Sequence, residues 1–222
     1  MKLDIIVPTY NESESIIEFL KTLKNELKKI DFKVIIIDDS TDNTPIIAKK
    51  YCKTNNIKNI IIHRSNEKGK GSAVNLGLKK LTADYAAIID ADMEYHPKYL
   101  LSMVKMLKNN DLILSLRKRN DPIYRKFLGY CFKQFVKLIF GFNFDTQSGL
   151  KVFKTKFVKN LDLKSKNWVF DIELINYFYK NNLKINFYNI NYTTRKCGKS
   201  KVKVLTSIQM FKDLIFLKFK NN

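Results

Sequence analysis

The chain has 222 residues, with 41 Lys and Arg against 21 Asp and Glu, a formal charge of +20 and a pI near 9.7. That length suffices for one large α/β domain burying roughly 70% of its unfolded surface without disulfides, and the basic balance points to phosphate-bearing partners: nucleotides, nucleic acid or an anionic bilayer. Cys52, Cys131 and Cys197 are odd in number and outside any Cys-x-x-Cys spacing, which supports neither a zinc site nor a disulfide framework. No apolar run reaches about 18 residues and no signal-peptide core precedes the first strand, so a chain that works in a reducing cytoplasm without spanning a membrane is expected.

Leu3 to Val7 reads as a strand ended by Pro8, and Ser13 opens a helical pattern through Ile16, Ile17, Leu20, Leu23 and Leu27. Lys33 to Ile37 is a second strand, apolar and β-branched as strands buried on both faces are, and Thr44 to Cys52 is its helix. Asn59 to His63 forms a third strand, followed by a helix over Ser72 to Leu81, and Tyr85 to Ile89 forms a fourth. Alternating strands and helices imply right-handed crossovers and a parallel, doubly wound sheet with helices on both faces, whose ligands gather at the strands' carboxyl ends.

The second half is less regular. It carries a strand at Leu112 to Leu116, an aromatic helix at Ile123 to Phe140, a strand near Leu150 to Phe153 and a helix at Phe170 to Tyr179. A late strand at Lys184 to Tyr192 and a closing amphipathic helix at Val204 to Phe219 follow. Mixed or antiparallel pairing is expected there. One domain spanning 1–222 follows, with a regular half over 1–95 and a less regular half over 96–222.

Asp90-Ala91-Asp92 follows the fourth strand directly. Two carboxylates one residue apart repel each other unless a cation sits between them, and hard oxygen ligands suit Mg²⁺ or Mn²⁺; the alternative is that both cap a following helix. Three other loops stand at strand ends: Pro8-Thr9-Tyr10-Asn11-Glu12, Asp38-Asp39-Ser40-Thr41-Asp42-Asn43-Thr44, and Gly69-Lys70-Gly71. Asp38 or Asp39 can accept from a base's ring N–H or serve turn chemistry. Gly69 and Gly71 permit close backbone approach, with Lys70 carrying charge toward a diphosphate. Neither a Walker loop nor a dinucleotide fingerprint is present.

In this order the motifs resemble the family 2 glycosyltransferases with the GT-A fold, and among them the polyprenyl-phosphate sugar synthases, over essentially the whole chain. The resemblance implies a donor pocket from Pro8, Tyr10, Glu12, Asp38, Asp39, Lys70, Asp90 and Ala91, and a cation held by Asp90 and Asp92. Glu94 stands where relatives carry a Gln; it reads either as a third metal carboxylate or as a helix-starting charge. Asp92, Arg117 and Arg195 carry the catalytic assignments. Arg117, Ser148 of Asp145-Thr146-Gln147-Ser148-Gly149, Arg195 and Lys201 of Arg195-x-x-Gly198-x-Ser200-Lys201 match elements that surround the acceptor phosphate in relatives. Arg125 is a further candidate, since Phe144 replaces a basic residue there. Asp171 of Phe170-Asp171-Ile172-Glu173-Leu174 either contacts sugar hydroxyls or starts a helix.

The implied reaction is inverting transfer of one hexose from GDP-mannose or UDP-glucose to a polyprenyl (dolichyl) phosphate. A phosphate with second pKa about 6 needs counter-charge more than a base. The chain's only Trp, Trp168, is not in the Gln-x-x-Arg-Trp motif of processive synthases. A saccharide hydroxyl acceptor is the runner-up and would require a base such as Asp145 or Asp171. The aromatic helix and the closing helix interleave apolar and basic residues, which suits peripheral docking on the cytoplasmic membrane face, with a membrane-anchoring partner, or packing into the core. Nucleic acid is disfavoured as a partner because carboxylates crowd the strand ends.

Overall fold

The computed structural model describes residues 1–64, 69–117, 123–191 and 204–220, without the side chains of 124, 125, 204–208 and 220. The elements alternate as β1 (Lys2–Thr9), α1 (Ile16–Glu26), β2 (Asp31–Asp38), α2 (Thr44–Thr54), β3 (Asn59–His63), α3 (Lys70–Leu78), β4 (Tyr85–Ile89) and α4 (Tyr99–Met106). They continue as β5 (Leu112–Arg117), α5 (Ile123–Phe140), β6 (Leu150–Lys154), a 3₁₀ turn (Thr155–Phe157), α6 (Phe170–Lys180), β7 (Ile185–Ile190) and α7 (Val204–Lys220).

Among the described residues seven strands form one sheet in the order β3-β2-β1-β4-β6-β5-β7. β1 pairs parallel with β2 and β4, β2 with β3, and β5 with β7, whereas β6 runs antiparallel to β4 and β5. The doubly wound, mostly parallel sheet is as expected, and the irregular second half owes its pattern to this one reversed strand. Because β6 runs backward, its start at Leu150 lies beside the end of β4, with Ile89 opposite Leu150. The Ser148-Gly149 turn is thereby delivered to the sheet edge that carries Asp90.

Period-two alternation divides the core. Leu3, Ile5, Val7, Val34, Ile36, Ala87 and Ile89 face α1, α2 and α4, while Ile6, Ala86, Ile88, Leu112, Leu114 and Phe153 face α3, α5, α6 and α7. α1 shows the matching helical signature, burying Ile16, Phe19, Leu20 and Leu23.

Three elements differ from the sequence expectation. β1 continues through Pro8 to Thr9; its ladder with β4 ends at Ile6, so Pro8 has no partner on the β4 side, where its missing N–H is tolerated. α3 begins at Lys70 rather than Ser72 and ends at Leu78. α4 has no counterpart in the sequence reading; its buried Leu100, Met103 and Val104 fit a helix, but Tyr99, Leu101 and Met106 around them are nearly as apolar.

Candidate active site

All four strand-end motifs meet at the carboxyl edge of the sheet. Thr9 ends β1 and Asp38 ends β2, and the two loops that follow are laced together. The Thr9 hydroxyl donates to Asp38 Oδ1 at 2.7 Å, Ser40 Oγ accepts the Asn11 N–H at 2.8 Å, and the Thr41 N–H donates to Asn11 Oδ1 at 2.8 Å. Thr44 Oγ1 accepts the Glu12 N–H at 2.9 Å, and Glu12 Oε2 accepts the Ser15 hydroxyl at 2.8 Å, so Glu12 also fastens the entry to α1. Asn11 takes φ +53°, a left-handed turn that Asn adopts more readily than most residues. Pro8 is half-buried and the Tyr10 ring is exposed at the rim.

Asp38 and Asp39 divide sharply in role. Asp38 is fully buried and accepts from Thr9, from the Ser40 hydroxyl at 2.6 Å and from the Ser40 N–H at 3.2 Å, with His63 Nδ1 2.7 Å from Oδ2. Four partners fill the acceptor capacity of a carboxylate, so Asp38 braces the loop and is not turned to a ligand. Asp39 is held by Arg64 through two parallel bonds, Nε at 2.7 Å and Nη2 at 2.6 Å, and accepts the Gly69 N–H at 3.0 Å. Both side chains of this pair are nearly buried, and bidentate geometry makes it rigid. Neither His63 nor Arg64 stood out in the sequence. Their clue was two polar residues following an apolar strand beside the Asp38-Asp39 strand end.

The glycines of the third loop serve a different neighbour from the one expected. A Cβ at Gly71 would lie 2.8 Å from Asn167 O and against Ser165 O, and one at Gly69 would lie 2.8 Å from Asn167 Oδ1 and against Lys166 O. Gly69 also takes φ +132°. Thus the chain's own 165–167 segment makes the close approach, and Ser72 N–H donates to Lys166 O at 3.0 Å. Glu173 supports that segment from α6 by accepting the N–H groups of Lys164 at 2.7 Å and Ser165 at 2.8 Å.

Lys70 projects from the first turn of α3 onto Asp90, with Nζ 2.7 Å from Oδ1 and 2.8 Å from Oδ2. Burial pulls its ammonium toward neutrality, but Asp90, Asp171 and Asp92 outweigh that and hold its pKa above the ordinary 10.5. The turn after β4 places Met93 at φ +63°, and Asp92 Oδ1 accepts the Glu94 N–H at 3.0 Å. Ala91 is buried in the core beneath this turn, so its methyl group does not face a donor. Among the described residues no three His, Cys, Asp or Glu side chains converge as a metal cage; the three-carboxylate shell of Asp90, Asp92 and Glu94 is not gathered. Of those three, Asp90 and Asp92, one residue apart, keep the hard oxygen chemistry that suits a cation. That donor set fits Mg²⁺ or Mn²⁺, which are characteristically held by one or two carboxylates together with substrate phosphates.

The Ser148-Gly149 turn abuts the turn after β4. A Cβ at Gly149 would lie 2.6 Å from Asp90 Oδ2 and 2.5 Å from Tyr95 Cε2, so only glycine fits. Tyr95 is buried; burial pushes its phenol well up, against Arg117 and the Gly149 N–H, which lower it. The Arg117 guanidinium lies 5.4 Å from the Tyr95 ring centre, donates through Nη2 to Gln147 O at 3.1 Å, and has Nε 3.8 Å from Asp145 Oδ2. Ser148 is buried, its hydroxyl shared with Ser115 Oγ and donating to Leu150 O at 3.1 Å. It shapes the turn and does not face an acceptor.

Asp171 likewise departs from a role in sugar contact. It is buried against Lys151 of β6, with Nζ 2.6 Å from Oδ1, and Lys151 also donates to Ser148 O. Burial raises the pKa of Asp171 and lowers that of Lys151, each restrained by its partner. Lys151 lies in register with Ile88 of β4 and Leu114 of β5, at a position where the sheet is otherwise apolar. A lysine inside the run Leu150 to Phe153 was the signal in the sequence. Arg195 and Lys201 lie outside the described residues, as does the side chain of Arg125.

A model of the family described as glycosyl transferase family 2 matches residues 4–171. A dolichol-phosphate mannosyltransferase of Pyrococcus furiosus is 32% identical over 136 residues, covering 58% of this chain and 38% of that protein. A dolichyl-phosphate beta-glucosyltransferase of Dictyostelium discoideum is 28% identical over 244 residues, covering 98% of this chain and 74% of that protein. The chain thus spans well under half of the archaeal relative and about three quarters of the Dictyostelium one. Among solved structures, glucosyl-3-phosphoglycerate synthase from Mycobacterium tuberculosis, in complex with Mn²⁺, UDP-glucose and phosphoglyceric acid, superposes with a TM-score of 0.77. At 18% identity it covers 98% of this chain and 80% of that one, which establishes the GT-A fold.

Proposed function

The chain belongs to glycosyl transferase family 2, and on that premise we propose that it moves a single hexose from a nucleoside diphosphate sugar, GDP-mannose or UDP-glucose, to a polyprenyl phosphate. The observation that carries this reading is the contact between the Ser148-Gly149 turn and Asp90. It sets Arg117, across the Tyr95 ring, beside the aspartate turn. An acceptor phosphate held at Arg117 would therefore meet the sugar where the donor's diphosphate ends. The names of the two relatives, both transferases to dolichyl phosphate, favour that acceptor.

In this reading residues 1–95 bind the donor and 96–222 the acceptor. The Tyr10 rim and the Asp39–Arg64 pair border the nucleoside, and Lys70 faces the diphosphate. Asp90 and Asp92 would hold Mg²⁺ or Mn²⁺. Such an ion supplies Lewis-acid stabilisation of charge on the departing diphosphate. Arg117 orients a phosphate that is already anionic, so no general base is required of the chain. Arg195 and Lys201 would add counter-charge on the acceptor side.

The exposed apolar and basic faces of α5 and α7 support peripheral docking on the membrane that contains the acceptor, at its cytoplasmic face and with or without an anchoring partner. No helix among the described residues is long and apolar enough to cross a membrane.

A saccharide hydroxyl acceptor is the second reading, and one observation favours it. Asp145 is solvent-exposed beside Arg117, where a base would be needed, whereas Asp171 is buried and paired. Incubating the protein with radiolabelled GDP-mannose or UDP-glucose, a short polyprenyl phosphate or a saccharide, and Mn²⁺, Mg²⁺ or chelator separates the two. A lipid-extractable, metal-dependent product is expected; label appearing only in saccharide would overturn the first reading.

A further inference from the structure

Lys70 and Asp90 form a closed pair. One ammonium stands within 2.8 Å of both carboxylate oxygens, and the two side chains are only 16% and 22% exposed. Gly149 shuts the Oδ2 side so tightly that a Cβ would come 2.6 Å from that oxygen. The rings of Trp168 and Phe170, centred 5.3 Å and 6.0 Å from Nζ, flank the ammonium. Asp90 is thus already neutralised by a cation belonging to the chain.

We propose that Lys70 is a resident counter-cation that must leave Asp90 before a divalent ion can bind there, so that ion and donor diphosphate bind cooperatively rather than independently. The proposal rests on the metal-dependent reading above. An ammonium and a divalent ion beside one carboxylate repel strongly in a partly buried site, where screening is weak. Lys70 has a flexible four-carbon stem and can turn from Asp90 only if another anion receives its charge. A nucleoside diphosphate offers that anion, and it also offers the divalent ion the oxygen ligands that the protein lacks, since no third carboxylate or imidazole joins Asp90 and Asp92 among the described residues. Thermodynamic linkage then requires reciprocity: whatever factor the nucleotide adds to ion affinity, the ion adds to nucleotide affinity.

The test measures Mn²⁺ binding by the electron paramagnetic resonance of the free ion, for the wild type, Lys70→Met and Lys70→Gln, each alone and with UDP or GDP. Circular dichroism checks that the variants fold, and the Gln variant covers failure of the Met variant. The wild type is expected to bind Mn²⁺ weakly alone and about tenfold or more tightly with nucleotide. The variants are expected to bind Mn²⁺ alone about tenfold more tightly than the wild type, with a smaller nucleotide enhancement. Unchanged or weaker binding of Mn²⁺ alone by the folded variants, while the wild type still binds it with nucleotide, overturns the role of Lys70 and leaves the metal reading standing. Absence of Mn²⁺ binding by the wild type with either nucleotide overturns both.

Discussion

Lys151 Nζ lies 2.6 Å from Asp171 Oδ1 with the two side chains only 1% and 7% exposed, an ion pair set between a central strand and the first turn of α6. Removing one partner strands the other's charge in the core, which typically costs about 3–5 kcal/mol, whereas removing both is far milder. Lys151→Met and Asp171→Asn are each expected to lose about that much in urea unfolding. The double variant should be more stable than either single one. Additive losses would show that the two groups are not coupled. Since an apolar pair would hold the sheet as well, the lysine's bond to Ser148 O gives it a second role, which is to fix the turn that abuts Asp90.

At the opposite edge, Asp111 joins β5 to β6 and β7, accepting from Lys154 Nζ at 2.8 Å and from the Lys184 N–H at 2.9 Å. Burial raises its pKa, but those two donors outweigh it and hold the group below the ordinary 3.8. A carboxylate whose folded pKa is depressed contributes stability that is complete above the unfolded value and lost as pH falls through the folded one. Asp111→Asn should therefore be less stable than the wild type by about 1–2 kcal/mol at neutral pH. The gap should close below about pH 4. A gap that stays constant between neutral pH and pH 3 would refute the assignment.

Gly71→Ala places a methyl group against Ser165 O and 2.8 Å from Asn167 O, both backbone atoms that cannot rotate away. The 165–167 segment must move, and with it the hydrogen bonds that Glu173 and Ser72 make there. The expected result is a loss of about 1–3 kcal/mol, as for overpacking, together with impaired transfer. Wild-type stability and activity would show that this contact yields freely.

Arg64→Lys keeps the charge beside Asp39 but not the two parallel bonds at 2.6 and 2.7 Å. With Asp39 no longer locked, the Gly69 N–H loses a fixed acceptor. On the proposed reading, in which the pair borders the nucleoside and not the bond that breaks, the donor KM should rise about tenfold with a smaller change in kcat. A fall in kcat at unchanged KM would argue against that placement.

How much of this could be read from the chain differs by element. β1 to β4 announce themselves as short apolar runs ending in polar loops, and Asp90-Ala91-Asp92 stands out because an acidic pair at a strand end needs a counter-charge. α4 escaped because Tyr99, Leu101 and Met106, outside the buried stripe of Leu100, Met103 and Val104, are apolar too and blur it. The motif matches at Ser148, Asp171, Gly69 and Gly71 led to the right edge of the sheet but not to the right partners. A pattern of residue types cannot distinguish a side chain that meets a ligand from one that braces its neighbour. Lys151 and Arg64 are weakly signalled for the converse reason: in so basic a chain a lone cation reads as surface, and the fold supplies the aspartates against which these two are buried.

On α5, Ile123, Lys126, Phe127, Tyr130, Gln134, Lys137 and Leu138 recur at helical spacing along one exposed face, with Phe127 66% and Leu138 82% exposed. The opposite face carries Phe132 and Val136 into the core, where Phe132 packs edge-on against Phe211 of α7 at 5.4 Å. α7 repeats the division: Met210, Leu214 and Leu217 are buried, and Ile215, Phe216 and Phe219 are exposed beside Lys212 and Lys218. Core packing therefore leaves Ile123, Phe127, Tyr130 and Leu138 of α5 and Ile215, Phe216 and Phe219 of α7 exposed. These residues, interleaved with lysines, suit an anionic interface. Phe127→Glu with Leu138→Glu should leave unfolding stability within about 0.5 kcal/mol, since neither side chain is buried, yet abolish co-flotation with liposomes containing anionic lipid. If the double variant floats as the wild type does, lipid is not what covers this face.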